Sequence, residues 1–294
     1  MARTIRIGSR ESVLAVRQAQ IVIDAVQSTE PDIQFELVTI RTTGDRNLDK
    51  SLSSIGGKGL FVKELEQALL DGSIDIAVHS YKDLPYEENP ELPIVALSTR
   101  EAPYDALVLP DGVSEIDPAR PIGSSSLRRS IQLKALYPEL ETQPVRGNVI
   151  TRLAKLDLGE YSALVLAQAG LVRLGLASRI SKVFNADEMI PSGSQGILAV
   201  QARAGENCSY LAAFHSWESE VVSLAERQYL RTLASDCSAP VAVFAQLQGD
   251  QLEVRGMLVD PLGQVYSGSL SGLAVQALNL GATLAAQLTE RSQG

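Results

Sequence analysis

Thiols and imidazoles are scarce in this chain of 294 residues, which has two cysteines, Cys208 and Cys237, and two histidines, His79 and His215. Two cysteines without C-x-x-C spacing build neither a disulfide framework nor a structural zinc site, so both are expected as reduced thiols. Two distant histidines give little support to a hydrolytic triad or a histidine-based metal site. No run approaches the roughly 18 apolar residues that a membrane span needs, so no membrane partner is expected. Excess positive charge is lacking too. The formal net charge is −9, which argues against a nucleic-acid partner, because phosphate binding needs a broad basic surface. Any basic site must be local. Residues 1–8 lack the apolar stretch of a secretory leader and run straight into a strand pattern, so a cytoplasmic location is expected.

What is present has the balance of a globular protein: 45% hydrophobic and 21% charged residues, in a length that suits two or three domains of about 100–150 residues. Ile5 to Ile7 reads as a strand. Behind Ser12, suited to an N-cap, Val13, Val16, Gln20 and Ile23 fall at helical spacing. Ile33, Phe35 and Leu37 alternate as a half-buried strand does, and a helix through Leu60, Glu64, Leu65 and Leu69 leads to a strand at 74–78. This β-α-β-α-β order predicts a sheet flanked by helices. A second such run starts at Pro121, with helices near 126–136 and 148–158 and a strand at 163–167. Two similar halves imply a cleft, and the apolar run Ile197–Val200 is read as crossing back to the first half. Val221, Leu224, Ala225, Tyr229 and Leu233 then form one helical face, three strands follow around Gly249-Asp250 and 260–263, and Leu273, Ala277, Leu280, Leu284 and Leu288 form a last helix. The division expected is 1–99 with 195–214, then 100–194, both α/β, and a small α+β domain over 215–294.

The candidate chemistry sits where strands end. Gly123-Ser124-Ser125-Ser126-Leu127-Arg128-Arg129 joins a strand to a helix start, where unsatisfied N–H groups and the helix dipole favour an anion. Ser125, Ser126, Arg128 and Arg129 would extend that site, since a guanidinium matches a carboxylate bidentately. The competing reading is a plain serine cap with arginines on a solvated face. Arg146-Gly147-Asn148 with Arg152 repeats the arrangement, and Arg173 follows the strand at 163–167. Arginines recurring at the same end of successive strands suggest convergence on one ligand. His79-Ser80-Tyr81-Lys82-Asp83 closes another strand and puts the Asp83 carboxylate at its end, able to stabilise a cation or accept N–H hydrogen bonds; a Lys82–Asp83 surface pair is the alternative. His79 reads as a packed histidine rather than a base. Ile55-Gly56-Gly57-Lys58-Gly59 lacks the first glycine and the final Ser or Thr of a phosphate loop, so it is read as a flexible flap with Lys58 as an anion contact. Cys237 lies on a loop between a helical and a strand pattern, where a thiol invites chemistry more than packing.

Taken together these segments resemble the porphobilinogen deaminase family over essentially the whole chain. The resemblance rests on Gly8-Ser9-Arg10-Glu11-Ser12, on residues 56–66, on His79 to Pro85, on Ser125 to Arg129, on Arg146-Gly147-Asn148-Val149 with Thr151-Arg152-Leu153, and on Cys237-Ser238-Ala239-Pro240. It implies two α/β domains like those of periplasmic binding proteins and a third domain carrying the cysteine. It implies that Cys237 holds a dipyrromethane cofactor by a thioether. Four porphobilinogens would then be joined head to tail with loss of ammonia, and water would release hydroxymethylbilane. Arg10, Arg128, Arg129, Arg146, Arg152 and Arg173, with Ser12, Lys58, Ser80, Lys82, Ser125 and Ser126, would hold the carboxylates of cofactor and growing chain. Asp83 would face the pyrrole N–H groups and the cation left by ammonia. A monomer is expected. The sequence departs from the family pattern at Ser54, where a lysine is usual, at Gly193-Ser194, before Gln195-Gly196, and at Ser235-Asp236, whose carboxylate should disfavour the Cys237 thiolate. The rival reading is a non-catalytic binding protein for a small polycarboxylate, which would need neither Asp83 nor a loop cysteine.

Overall fold

The computed structural model describes residues 4–46, 62–87, 89–234 and 240–294. Lys58 and its glycine-rich segment, Ser54, Ser235-Asp236 and Cys237 lie outside the described residues. In chain order the elements are β1 (Thr4–Arg10), α1 (Val13–Thr29), β2 (Gln34–Ile40), α2 (Thr43–Arg46), α3 (Lys63–Leu70), β3 (Ile76–Ser80), β4 (Ile94–Leu97), β5 (Asp105–Val108), β6 (Ile122–Gly123), α4 (Leu127–Leu136) and β7 (Thr142–Gln143). There follow α5 (Val149–Asp157), β8 (Ala163–Ala167), α6 (Gln168–Arg173), β9 (Lys182–Val183), β10 (Leu198–Ala202), α7 (Trp217–Thr232), β11 (Ala242–Gln248), β12 (Gln251–Val259), β13 (Val265–Leu273) and α8 (Ala277–Gln293). They divide into two compact units, Met1–Glu101 with Ile197–Glu220 and Ala102–Gly196 with Val221–Gly294.

The first unit is built on a sheet of order β2-β1-β3-β10-β4. β1 runs parallel to β2 and β3, whereas β10 runs antiparallel to β3 and β4. Ile197–Val200 therefore does return to the first sheet. Helices cover both faces, as the buried middle strands require. Ile5, Ile7, Ile76 and Val78 pack with Ala19, Val22 and Val26 of α1. On the other face Leu65 and Leu69 of α3 pack with Ile74, Ala77 and Leu92. Gly8 permits that second contact: a Cβ there would sit 2.3 Å from Ile74 Cδ1.

The face of α1 is rotated from the sequence expectation. Its buried residues are Ala15, Gln18, Ala19, Val22, Ile23 and Val26, and Val13 is 61% exposed. Small alanines let the helix lie close to the sheet, so Val13 and Val16 are displaced toward its margin while Ile23 stays in the core. Ser12 does cap the helix, accepting from the Ala15 N–H at 3.3 Å.

The second unit repeats the plan with the order β7-β6-β8-β5-β9. β6 is parallel to β7 and β8, and β5 is antiparallel to β8 and β9. One face of the sheet packs Leu153 and Leu156 of α5, the other Leu133 of α4 with Phe184 and Met189. The same unit contains the antiparallel sheet β11-β12-β13, with α8 packed on β12 and β13. The two turns expected at Gly249-Asp250 and 260–263 connect these strands. Two residues of the expected helical faces, Leu224 and Leu273, are exposed. Leu273 ends β13, and its N–H donates to Gln276 Oε1 ahead of α8.

Candidate functional site

In the first unit the parallel neighbours β1 and β3 end at the same edge, which brings Arg10 and the segment Ser80–Asp83 together. The chain turns there in a 3₁₀ helix over Tyr81–Asp83. Tyr81 is buried, Lys82 half-buried and Asp83 exposed, so the turn presents its carboxylate outward while anchoring itself through the ring. Arg10, Gln18, His79, Ser80 and Asp83 line a cavity of about 30 Å³, with Ala15, Val62 and Val78 as its apolar wall. Gln18 Nε2 donates to Ser80 Oγ at 2.9 Å. His79 is 7% exposed. Burial above all, helped by the Arg10 charge, pushes its pKa down to about 4 against an opposing hydrogen bond with Gln201. The ring is neutral near pH 7, in keeping with a packed histidine.

In the second unit β6, β7 and β8 are parallel neighbours, and their ends carry the arginine motifs. The turn after β6 is pinned by Ser125, whose Oγ donates to Val145 O at 2.6 Å and accepts from Val145 N–H at 3.1 Å. Ser126 caps α4 by position, without a side-chain bond to the helix. Arg146 is half-buried at the next turn, where Gly147 has φ 109° and Asn148 caps α5 by accepting from Thr151 N–H at 2.9 Å. Arg152 Nε donates to Gly147 O at 2.8 Å, which ties its guanidinium to that turn. Arg173, the last residue of α6, donates from Nη2 to Gly196 O at 2.5 Å.

Arg128 and Arg129 turn inward rather than onto a solvated face. Both are buried against Asp105, which is 0% exposed. Arg128 Nη1 reaches Asp105 Oδ2 at 2.7 Å and Ile190 O at 2.8 Å. Arg129 binds Asp105 Oδ1 through Nε at 3.0 Å and Nη2 at 2.7 Å, and gives Nη1 to Val165 O at 3.0 Å. Gln195 Nε2 adds a bond to the same Oδ1 at 3.0 Å. Burial alone would raise the Asp105 pKa, but the two guanidiniums hold the carboxyl far below the usual carboxylate range. Sequence reasoning missed Asp105. Its signal is one acid opening the apolar strand Asp105–Val108, because a charge leading a fully buried strand needs partners.

The class defined by these features is an α/β protein with two mixed five-stranded sheets, arginine-bearing turns at the ends of their parallel strands, and a third, antiparallel sheet. Residues 5–209 match the family model described as porphobilinogen deaminase, dipyromethane cofactor binding domain, and residues 221–290 match the porphobilinogen deaminase C-terminal domain. The chain is 54% identical over 284 residues to the porphobilinogen deaminase of Acetivibrio thermocellus, covering 97% of each protein. It is 43% identical to that of Methylobacillus flagellatus, covering 97% of this chain and 94% of the relative. Among solved structures, the Methionine Binding Protein MetQ aligns at 14% identity with a TM-score of 0.46, covering 74% of this chain and 92% of MetQ. The chain belongs to the porphobilinogen deaminase family.

Proposed function

We propose that this chain joins four porphobilinogen molecules head to tail with loss of ammonia and releases hydroxymethylbilane by hydrolysis, using Asp83 at the reacting ring and Cys237 as the cofactor's anchor. The observation that carries this reading is the Asp83 carboxylate presented beside Arg10 at one edge of the first sheet, within the segment matched by the family's cofactor-binding domain. The donor chemistry fits a dipyrromethane: guanidiniums suit its carboxylates, and a carboxylate suits its pyrrole N–H groups. When bound, the dipyrromethane supplies the free pyrrole carbon to which the first substrate joins.

Asp83 stabilises the cation that the substrate becomes as ammonia leaves, because an anion already in place costs no reorganisation at the moment of reaction. Arg10, with Ser12, Ser80, Lys82 and Lys58, binds carboxylates in the first unit. Arg146, Arg152 and Arg173, with Ser125 and Ser126, do so in the second. Arg128 and Arg129 act from the Asp105 cluster, which fixes their orientation. We also propose a division into 1–99 with 195–214, 100–194 and 215–294, and a cytoplasmic monomer without nucleic-acid or membrane partners.

Intact-mass measurement of the purified protein tests the assignment. The parent is expected to exceed its polypeptide mass by two linked pyrrole units, to react with an aldehyde reagent for pyrroles, and to show heavier discrete species with porphobilinogen. Cys237→Ala abolishes all three signals, and Cys208→Ala leaves them unchanged. A parent that keeps its bare polypeptide mass after incubation with porphobilinogen overturns the reading.

A further inference from the structure

β13 lies at one edge of the β11-β12-β13 sheet and pairs with β12 in one unbroken antiparallel register. That register is bracketed by Asp260 N–H donating to Gln264 O at 3.0 Å and Ala274 N–H donating to Asp250 O at 2.8 Å, so the even-numbered residues of β13 are the ones that bond to β12. Alternation then turns the N–H and C=O groups of Val265, Ser267, Ser269 and Ser271 away from the sheet. All four residues are exposed. Arg291 Nη1 takes one of these groups, Ser267 O, at 3.0 Å, whereas the four N–H groups have no partner among the described residues. The strand carries no proline, no charge and no bulge, the devices that keep an edge from pairing. Beside it lies a cavity of about 650 Å³, the size of a binding site. Gly268 and Gly272 face Leu288 and Leu280 of α8, so the odd-numbered residues of β13 share the opposite face of the sheet. That face is the cavity's floor, and Leu136 of α4 with Asp187 and Glu188 stands over it.

We propose that the β13 edge and this groove form a docking site for an extended segment of a partner protein, apolar at one end and basic at the other, which adds a fourth strand to the sheet. Main-chain bonds to the outward groups of Ser267, Ser269 and Ser271 give affinity, and the side chains on one face of the added strand give specificity. The register sets those side chains. Met257 stands opposite Ser267 and Glu253 opposite Ser271, so the partner residue beside Ser267 meets an apolar floor and the residue beside Ser271 meets a carboxylate. The charge of the groove agrees. Its acids Asp187, Glu188 and Glu253 outnumber Arg255, whose guanidinium is already paired with both Asp187 and Glu253, and Lys182 offsets Glu188 alone. The Asp187 side chain is 78% exposed, open to a cation from the partner. The proposal does not depend on the roles of Asp83 and Cys237.

The probe is an acetylated, amidated heptapeptide in which threonine alternates with lysine, leucine and leucine, in that order, so that an antiparallel strand sets the lysine beside Ser271. Titrated into the full chain at low ionic strength, it is expected to bind saturably. Hydrogen exchange followed by NMR should then slow at least tenfold at the amides of Ser267, Ser269 and Ser271, while those of Tyr266, Gly268 and Leu270 keep their rates. Exchanging the lysine of the peptide for glutamate should weaken binding at least fivefold. Ser269→Pro deletes one outward N–H and no bond to β12, a place where an edge strand accepts proline; it should keep parental ammonia release and weaken binding at least tenfold. No saturable binding up to millimolar peptide, equal affinity for the glutamate peptide, or slowed exchange elsewhere than at the outward amides overturns the proposal. So does protection of these amides in the free protein that rises with protein concentration, which would mean that a second copy fills the edge. The exchange measurement on the parent decides the matter even if Ser269→Pro fails to fold.

Discussion

Single side chains in this protein divide into those proposed to meet a ligand and those that hold another side chain in place. Asp83→Asn tests the first kind. The change removes one anion at nearly constant size, and a preplaced charge opposite a developing cation is worth about 3–4 kcal/mol, so turnover should fall on the order of 10³-fold while the dipyrromethane mass remains. Turnover within tenfold of the parent excludes the role. Arg129 and Arg146 looked alike as strand-end arginines, but the structure separates them. Arg129→Leu removes one partner of a buried ion pair, which costs about 3 kcal/mol, so chemical denaturation should show a large loss. Arg146 is half-buried, and Arg146→Leu should cost less than about 1 kcal/mol while impairing chain assembly. Normal assembly by Arg146→Leu, with every enzyme-bound intermediate at parental abundance, removes Arg146 from the ligands. His79 adds a pH dependence. The folded chain keeps the ring neutral down to about pH 4, whereas the unfolded chain takes up the proton near 6.5. Between those values the unfolded state binds more protons, so stability falls as pH drops through the window, by roughly 3 kcal/mol in all. His79→Gln should flatten that slope between pH 6.5 and 4.5, and an unchanged slope would show that the ring titrates normally.

Elements are set by close approach more than by hydrophobic count. The pattern over Val13, Val16, Gln20 and Ile23 located α1 and its Ser12 cap but misjudged part of its buried face, because the first half of the helix buries Ala15, Gln18 and Ala19 in place of Val13, Val16 and Gln20. Periodicity weights large apolar side chains, whereas the distance between helix and sheet is decided by the small ones. The same logic governs α7 and α8. A Cβ added at Gly281 in α8 would lie 2.1 Å from Ala225 O and 3.1 Å from Tyr229 N, both backbone atoms of α7 that cannot rotate away. Alanine is the better helix former by about 1 kcal/mol, so propensity alone predicts that Gly281→Ala stabilises the protein. Overpacking against backbone opposes this with about 3 kcal/mol, and the packing effect wins. Thermal unfolding should show Gly281→Ala less stable than the parent by about 2 kcal/mol; a stabilised variant would mean that the two helices separate at no cost.

At the scale of the whole chain, the alternation of strand and helix patterns, the return of Ile197–Val200 to the first sheet and the three-stranded C-terminal meander were all legible, because each rests on a local period or a turn signal. The strand-end positions of Arg10, Asp83, Arg146 and Arg152 were legible for the same reason. Asp105 was not, since a partner 23 or 24 residues away from its arginines has no period. Neither was Glu226, which the sequence shows only as one more acid on a helix. The chain passes between the two units at residues 101–102, 196–197 and 220–221, and Glu226 joins segments that flank these passages. It is 0% exposed; its Oε2 accepts from Ser194 N–H at 2.5 Å and its Oε1 from Ala245 N–H at 2.7 Å. Ser194 has φ 61°, a left-handed conformation that costs a non-glycine residue about 1 kcal/mol or more, so the bond from Glu226 holds a strained residue in the segment leading to β10. Glu226→Ala removes the carboxylate that accepts from two backbone N–H groups, and at about 1–3 kcal/mol for each bond the loss should be roughly 3 kcal/mol. Native-state hydrogen exchange locates the effect: the amides of Ser194 and Ala245 should speed up by about 10²-fold, as that energy implies, while β1 and β3 in the first unit keep parental protection. Parental exchange at Ser194 and Ala245 in the variant would show that packing, and not this carboxylate, holds the passage in place.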